Sequence, residues 1–165
     1  MRLKKPNLNL EVFEIPKEHK EAYWNLFKKH HYLTGKLNKA ARCYVAYLWG
    51  QPVAFNSTLR QPCGSVPNMW RGHRLVVLSD YQGMGIGSSM AECVGEMVLR
   101  DGGRYFCKTA NIKLGKYRNN SDKWRPTSKN GKARPDQLRS KRENYNNIID
   151  KKLSMRICYS HEYIG

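Results

Sequence analysis

Nowhere in these 165 residues does an apolar run approach the ~18 residues a helix needs to cross a bilayer. The start, MRLKKPNLNL, has two lysines but no apolar stretch behind them, and so lacks the form of a secretory leader. Cysteine is sparse: Cys43, Cys63, Cys93, Cys107 and Cys158 are odd in number, widely spaced and never in a Cys-x-x-Cys pair. That argues against a zinc ribbon and against a disulfide framework. It favours reduced thiols in a cytoplasm, some of them packed as small apolar residues. No metal site and no membrane partner are expected. Acidic residues are the other scarcity, thirteen Asp and Glu against thirty Lys and Arg, which leaves a net charge of +17. Such an imbalance costs self-repulsion and suits a polyanionic partner. It is concentrated: between Lys113 and Lys152 stand thirteen basic and four acidic residues, a net +9. Nucleic acid is the expected partner. The alternative is a solvated, highly soluble surface.

The length favours one compact domain over residues 1–165 and can bury a core without disulfides. Residues 8–15, LNLEVFEI, alternate as a half-buried strand does, and Pro16 ends them. Over 16–31, Ala22, Tyr23, Leu26, Phe27 and His30 recur at helical spacing until Gly35 stops the run. A hairpin follows: Arg42 to Leu48, a turn at Trp49-Gly50-Gln51, and Pro52 to Leu59. HRLVVLS (73–79) reads as a strand, and residues 87–99 as a helix with Met90, Cys93, Val94, Met97 and Val98 on one face. RYFCKTA (104–110) is another strand. Residues 112–152 read as a basic, irregular nucleic-acid-contact segment with one apolar anchor, Trp124, before a last strand in MRICYSHEYI. The order implies a mixed α/β (α+β) fold: a mostly antiparallel twisted sheet flanked by helices, with a basic C-terminal insertion.

Between the strand ending at Ser79 and the next helix stands DYQGMGIGSSM, with Gly83, Gly85 and Gly87 at alternate positions. A Rossmann turn needs a third glycine at position 88, which is serine, and a Walker A loop needs a Gly-Lys pair that is absent. A pyrophosphate cradle of the kind used for coenzyme A runs Gln/Arg-x-x-Gly-x-Gly/Ala straight out of a strand, and Gln82-Gly83-Met84-Gly85-Ile86-Gly87 matches it. A helix N-terminus leaves amides unpaired and carries partial positive charge, and a turn bare of β-carbons lets an anion reach them. Ser88 and Ser89 can add hydroxyls. A glycine-rich connection without a ligand is the bland alternative.

The stretch VVLSDYQGMGIGSSMAECV resembles motif A of the GNAT acyltransferase superfamily, and the order of elements over 8–110 resembles that fold. The resemblance implies an acetyl-CoA or other acyl-CoA donor. It implies that backbone groups along Leu75, Val76, Val77 and Leu78 engage the pantetheine arm, and that Gln82, Gly83, Met84, Gly85, Ile86, Gly87, Ser88 and Ser89 hold the pyrophosphate. More narrowly, HHYLTGKLNKAARCYVAYLWGQPVAF, WRGHRLVVLSDYQGMGIG and NNSDKW look like the branch containing phage Mom proteins, which modify the exocyclic amine of adenine in DNA. Host cytoplasm and protection of phage DNA from restriction are what that narrower resemblance implies.

An amine that attacks a thioester directly needs orientation, an oxyanion donor and routes for protons. A backbone N–H on the 75–78 strand is the expected oxyanion partner. The resemblance implies a tyrosine after strand 104–110 as acid for the leaving thiolate, and Tyr117 is the nearest, with Asn111 as its loose companion. His31 and Tyr32 end the first helix where family members place substrate-facing residues, and a histidine takes a proton near neutral pH. The bland alternative has His30 facing the core and His31 complementing the helix C-terminus. Arg74 can face the substrate cleft and hold a phosphate, or pair with a carboxylate. A base in duplex DNA must be flipped or met in single strands, and aromatics among Lys116, Arg118, Lys123, Arg125 and Arg134 suit that. The rival readings are an acetyltransferase of protein, tRNA or small-molecule amines, and a non-catalytic basic DNA-binding protein.

Overall fold

Short punctuated elements follow one another, as the sequence leads one to expect, in a computed structural model that describes residues 9–31, 36–133 and 157–165. Tyr32, Arg134 and the rest of the basic 112–152 segment beyond Ala133 therefore lie outside the described residues. The strands and helices are β1 (Glu11–Glu14), α1 (Lys20–Phe27), β2 (Arg42–Leu48), β3 (Gln51–Arg60), β4 (Met69–Val77), α2 (Ile86–Arg100), β5 (Arg104–Thr109), α3 (Ile112–Asn119), β6 (Trp124–Pro126) and β7 (Tyr159–Tyr163). The fold is mixed α/β with a mostly antiparallel sheet.

The chain divides into two compact units, Met1–Tyr105 and Phe106–Gly165. In the first, β1, β2, β3 and β4 lie side by side, each antiparallel to the next. The β2–β3 hairpin turns on Trp49 and Gly50, both at positive φ (52° and 74°), as a two-residue primed turn requires. The Arg104 amide bonds the Asn68 carbonyl at 3.0 Å and so starts β5 beside the start of β4. Strand alternation sends Cys43, Val45, Phe55 and Val76 to one face, where they bury Trp24 and Phe27 of α1. Leu75 and Val77 point the other way, toward α2, whose Ile86, Met90, Ala91, Val94 and Val98 are buried. Arg42 forks onto Glu14 at 2.7 and 3.0 Å and reaches Asp101 at 2.7 Å, tying β1 and β2 to the end of α2.

The first helix differs from its expected pattern. Regular α-helix stops at Phe27, and Lys28–His30 tighten into a 3-10 turn. The buried stripe also lies off the expected one, on Trp24, Phe27 and His31 at spacings of three and four. Trp24 and Phe27 are buried, Leu26 and His30 are exposed, and His31 is the buried histidine.

The second unit corrects the reading of residues 112–126 as irregular. They form α3 and β6, and the unit's strands are ordered β5-β7-β6. Asn111 caps α3, its side-chain oxygen accepting from the Leu114 amide at 3.1 Å. Gly115 lets the helix lie directly on Tyr159, whose ring a β-carbon there would overlap. Trp124, 3 % exposed, packs edge-on to Tyr163 at 5.0 Å, as its expected anchoring role requires.

Candidate active site

The glycine turn begins where β4 ends. Leu78 still bonds its amide to Val53 at 3.0 Å, and Ser79–Tyr81 then make one 3-10 turn. The Gln82 side chain reaches back to donate to the Val77 carbonyl at 3.0 Å and fixes the exit from the strand. Gly83 and Gly85 stand at φ 84° and 88°, the left-handed region that glycine enters without penalty. Gly85 is the residue capping α2, and its carbonyl takes the amides of Ser88 and Ser89, both at 3.1 Å. Gln82 gives its own amide to Ser79 at 3.2 Å. The sequence reading ran the free amides from 82 to 89. Among the described residues, the amides without a backbone partner are those of Gly83, Met84, Gly85, Ile86 and Gly87. They stand together at the positive end of the fifteen-residue α2. Gly87 brings the helix close to the strand: a β-carbon there would sit 3.4 Å from Val77 Cγ2. Bare backbone and unpaired donors thus coincide at the start of α2, the combination by which helix N-termini bind anions. The backbones of Leu75, Val76 and Val77 are paired to β3 on one edge, opposite Asn56, Phe55 and Ala54.

Four residues back along β4 lies a second group. His31, 8 % exposed, stands edge-on to Trp24 at 5.9 Å, and the Arg74 guanidinium carbon lies 6.0 Å from that same ring. Of the expected catalytic residues, His31 and Arg74 are thus gathered on one tryptophan, which was not singled out in the sequence. His73, also not singled out, sits among them. Burial first, then the charges of Arg74, Arg71 and His31, pull its imidazole down to about 4, so it is neutral at physiological pH. The only signal in the sequence was the density of WRGHR, three basic side chains within five residues.

The remaining expected residues belong to the second unit. Tyr117, on α3, is 43 % exposed, and with Asn120, Ser121, Asp122 and Lys123 it lines a shallow surface depression of about 490 Å³. Lys116 and Lys123 are exposed. Arg125 pairs with Glu162 at 2.7 Å. Arg118, expected at a nucleic-acid contact, is instead 2 % exposed and lies over Trp124 at 4.3 Å. Two residues beyond exposed Lys116, it faces the other side of α3, and its guanidinium is spent inside the unit. His161, fully buried, bonds Asn119 at 2.7 Å and is pulled down to about 4 by burial and by Arg118.

Comparison with known proteins bears on the first unit most directly. The sequence model of the acetyltransferase (GNAT) family matches residues 8–113. No curated protein matches the chain. Among solved structures, the IAA acetyltransferase from Bacillus cereus is 18 % identical with a TM-score of 0.61, over 94 % of this chain and 99 % of that one. Arabidopsis thaliana Naa50, solved with a bisubstrate analogue of CoA, is 14 % identical with a TM-score of 0.62, over 96 % of this chain and all (100 %) of that one. A Bacillus subtilis acetyltransferase in complex with CoA is 13 % identical with a TM-score of 0.55, over 95 % and 98 %. At these identities the likeness is one of fold. The family match spans more than half of the chain and includes the strand, the glycine turn and the helix that follows it, so this chain belongs to the acetyltransferase (GNAT) family.

Proposed function

We propose that this chain transfers an acyl group from an acyl-CoA to an amine of nucleic acid, most specifically the exocyclic amine of a DNA base. The observation that carries the donor half is the row of unpartnered amides from Gly83 to Gly87 at the start of α2. They would bind the diphosphate, with Gln82 holding the turn in shape and the hydroxyls of Ser88 and Ser89 beside it. The backbone along Leu75–Leu78 would bind the pantetheine arm. The donor, when bound, supplies an activated thioester carbonyl that an amine can attack without a covalent enzyme intermediate.

The chain's own residues then orient and move protons. A β4 backbone N–H would receive the developing oxyanion, the role for which fixed donors are most effective. His31 and Arg74 would face the acceptor, with Tyr32 beside them in sequence, and Tyr117 would protonate the leaving thiolate through its phenol. Holding the two reactants in register supplies much of the rate. Residues 1–165 would work as one domain, a reading supported by solved chains of nearly the same extent.

The acceptor half rests on charge. A net +17, with +9 between Lys113 and Lys152, favours a polyanion over a neutral amine. The sequence likeness to the Mom-like branch adds the DNA base and the host cytoplasm of a phage, and five free thiols suit a reducing compartment. Among the described residues no helix is long and apolar enough to cross a membrane. The test is mass analysis of nucleosides from DNA incubated with the protein and acetyl-CoA, beside intact-mass analysis of proteins and small amines in the same extract. A nucleoside of new mass supports the reading. Acylated protein, tRNA or small amine with unmodified DNA replaces the acceptor and keeps the donor. A nucleic-acid binder with no response to CoA ends the enzymatic account.

A further inference from the structure

The sheet of the first unit ends at β1, and the outer edge of that strand is open. β1 heads the strand order, so no strand among the described residues pairs with its far side. The Ile15 amide bonds the Cys43 carbonyl at 2.7 Å, and the same register sets Phe13 opposite Val45 and Glu11 opposite Tyr47. Bonded and non-bonded pairs alternate along an antiparallel ladder. The backbone groups of Glu11, Phe13 and Ile15 therefore turn inward to β2, and those of Val12 and Glu14 turn outward. Side chains alternate as well. Phe13 lies on the α1 face with Val45, and Glu14 lies on the other, where Arg42 forks onto it. Phe13 is 52 % exposed, a large apolar ring at the rim of the sheet. Tyr47 holds it edge-on at 6.1 Å, and the Tyr47 and Tyr23 hydroxyls bond each other at 2.8 Å, so the ring is presented in a fixed place.

An open edge is ordinarily blunted by a bulge, a proline or a free charge within the strand. β1 pairs with β2 without a register shift, Pro16 falls beyond its end, and Glu14 is neutralised by Arg42. The charge of this stretch differs from that of the chain. Residues 9–31 hold four Glu and four Lys, a net zero in a protein of +17, so two copies meeting there bring together no local excess of positive charge. Self-pairing about a two-fold axis also has a register that these residues satisfy. With the axis at Phe13, Val12 faces Glu14 of the second copy and Glu14 faces its Val12. Outward groups then meet outward groups, in four hydrogen bonds by the alternation of the ladder. No carboxylate stands opposite a carboxylate, since Glu11 faces Ile15. An axis at Glu14 would set carboxylate against carboxylate, and one at Val12 would set each Phe13 against Glu11.

We propose that the β1 edge is a self-association surface, on which two copies of this chain pair β1 to β1 in antiparallel sense about a two-fold axis at Phe13. The two Phe13 rings form a cross-strand pair at the centre and cover each other's exposed sides. The same patch serves both copies, as a two-fold interface requires. A four-residue strand supplies few bonds, so the dimer is weak and reversible, not obligate. The inference stands apart from the acyl-transfer reading. β2 and β3 lie between β1 and β4, so the strand that leads into the glycine turn takes no part in the interface.

The test is sedimentation velocity of the full-length protein over a wide range of concentration, at low and at high salt. A monomer–dimer equilibrium is expected, and it tightens as salt screens the net charge of each copy. Phe13→Lys sets two ammonium groups against each other at the axis and is expected to weaken the dimer at least ~tenfold. Val12→Pro removes an outward amide from each copy, spares the bonds to β2, and is expected to do the same. Circular dichroism melts establish that each variant folds, and Val12→Pro repeats the measurement should Phe13→Lys fail to. Phe13→Cys reads the register. Opposed non-bonded residues have Cα atoms ~4.5 Å apart, within disulfide range, so mild oxidation is expected to link two copies through position 13, located by peptide mapping. Val12→Cys and Glu14→Cys, which do not face themselves, are expected not to link. A monomer at every concentration, a dimer indifferent to both Phe13→Lys and Val12→Pro, or linking through position 12 or 14 in preference to 13 overturns the proposal.

Discussion

Alanine at Gly85 and alanine at Gly87 place the same methyl group two residues apart, and the structure assigns them different consequences. Gly85 stands at φ 88° and ψ 0° as the residue that caps α2. An L-residue held in that left-handed region costs about 1–2 kcal/mol, which for a chain of this length lowers Tm by roughly 2–8 °C. Gly87 lies inside the first turn of α2 without a positive φ. Its added methyl would stand 3.4 Å from Val77 Cγ2 and 3.9 Å from a Leu75 methyl. That contact is slightly tight, and helix propensity offsets it by up to about 1 kcal/mol, so Gly87→Ala changes stability by less than ~1 kcal/mol. The two differ again when CoA is added. Ligand at about 100 times its Kd stabilises the unaltered protein by ~2.7 kcal/mol. A non-glycine residue at 85 relaxes toward ordinary φ and turns the neighbouring amides away, so Gly85→Ala loses most of that increment and Gly87→Ala keeps most of it. Thermal melts of the three proteins with and without CoA measure all four quantities. Equal CoA increments in Gly85→Ala and the unaltered protein refute the amide argument. A loss of stability in Gly87→Ala as large as that in Gly85→Ala refutes the backbone argument.

Three further outcomes concern the second unit. Arg118 is a buried guanidinium whose Nε lacks a partner and which pairs with no carboxylate among the described residues. Removing its desolvation cost compensates for the lost stacking on Trp124, so Arg118→Met is expected within ~1 kcal/mol of the unaltered stability in urea melts, while Trp124→Ala costs about 3–5 kcal/mol. Gly115→Ala drives a methyl into the Tyr159 ring and is expected to cost at least ~1–3 kcal/mol in the same melts, with Tyr159→Ala relieving part of it. His161 takes a proton at about 4 in the folded chain and near its ordinary value of 6.5 in the unfolded one. The unfolded state thus binds more protons between those values. The stability that neutral His161 carries is complete above pH 6.5 and falls as pH drops toward 4, by on the order of 3 kcal/mol in all. His161→Gln should flatten that part of the stability profile, and an unchanged slope between pH 6.5 and 4 refutes the assignment.

What the sequence discloses, and what it hides, divides by where the determining interaction lies. The strands of the first unit were legible because alternation and Gly/Pro punctuation are local; β4 starts at Met69, earlier than expected from His73, because its first residues pair with β3 through weakly apolar positions. The glycine turn was legible as a stretch of bare backbone between a strand and a helix. Its usable amides were not, because only hydrogen-bond pairing shows that Gln82, Ser88 and Ser89 are already committed. His73 was invisible for the same reason: its neutrality comes first from burial and then from Arg74, Arg71 and His31, and no spacing rule shows either.

The second unit carries the sharper lesson, which bears directly on the charge argument. IKLGKYRN has no apolar stripe, yet it is a helix whose buried positions are Gly115 and Arg118. Hydropathy assigns an arginine to the surface, and here it forms the floor beneath Trp124. Counting charge along the chain therefore overstates what a partner meets. Within the described part of the basic segment, Arg118 is buried and Arg125 is shared with Glu162. The exposed positive field falls to lysines, Lys113, Lys116, Lys123, Lys129 and Lys132. Lysines are hydrated point charges that attract phosphates without fixing their geometry. Loose attraction of this kind raises encounter rates and makes binding salt-dependent, but it does not place one amine against one thioester. Placement needs forked, partly desolvated donors, and under the proposed reading Arg74 on β4 would supply one. If nucleic acid is the acceptor, neutralising exposed lysines should weaken binding and its salt dependence with little change in turnover at saturation. Altering Arg74 should do the reverse, and a turnover that tracks the lysines instead would refute the division of labour.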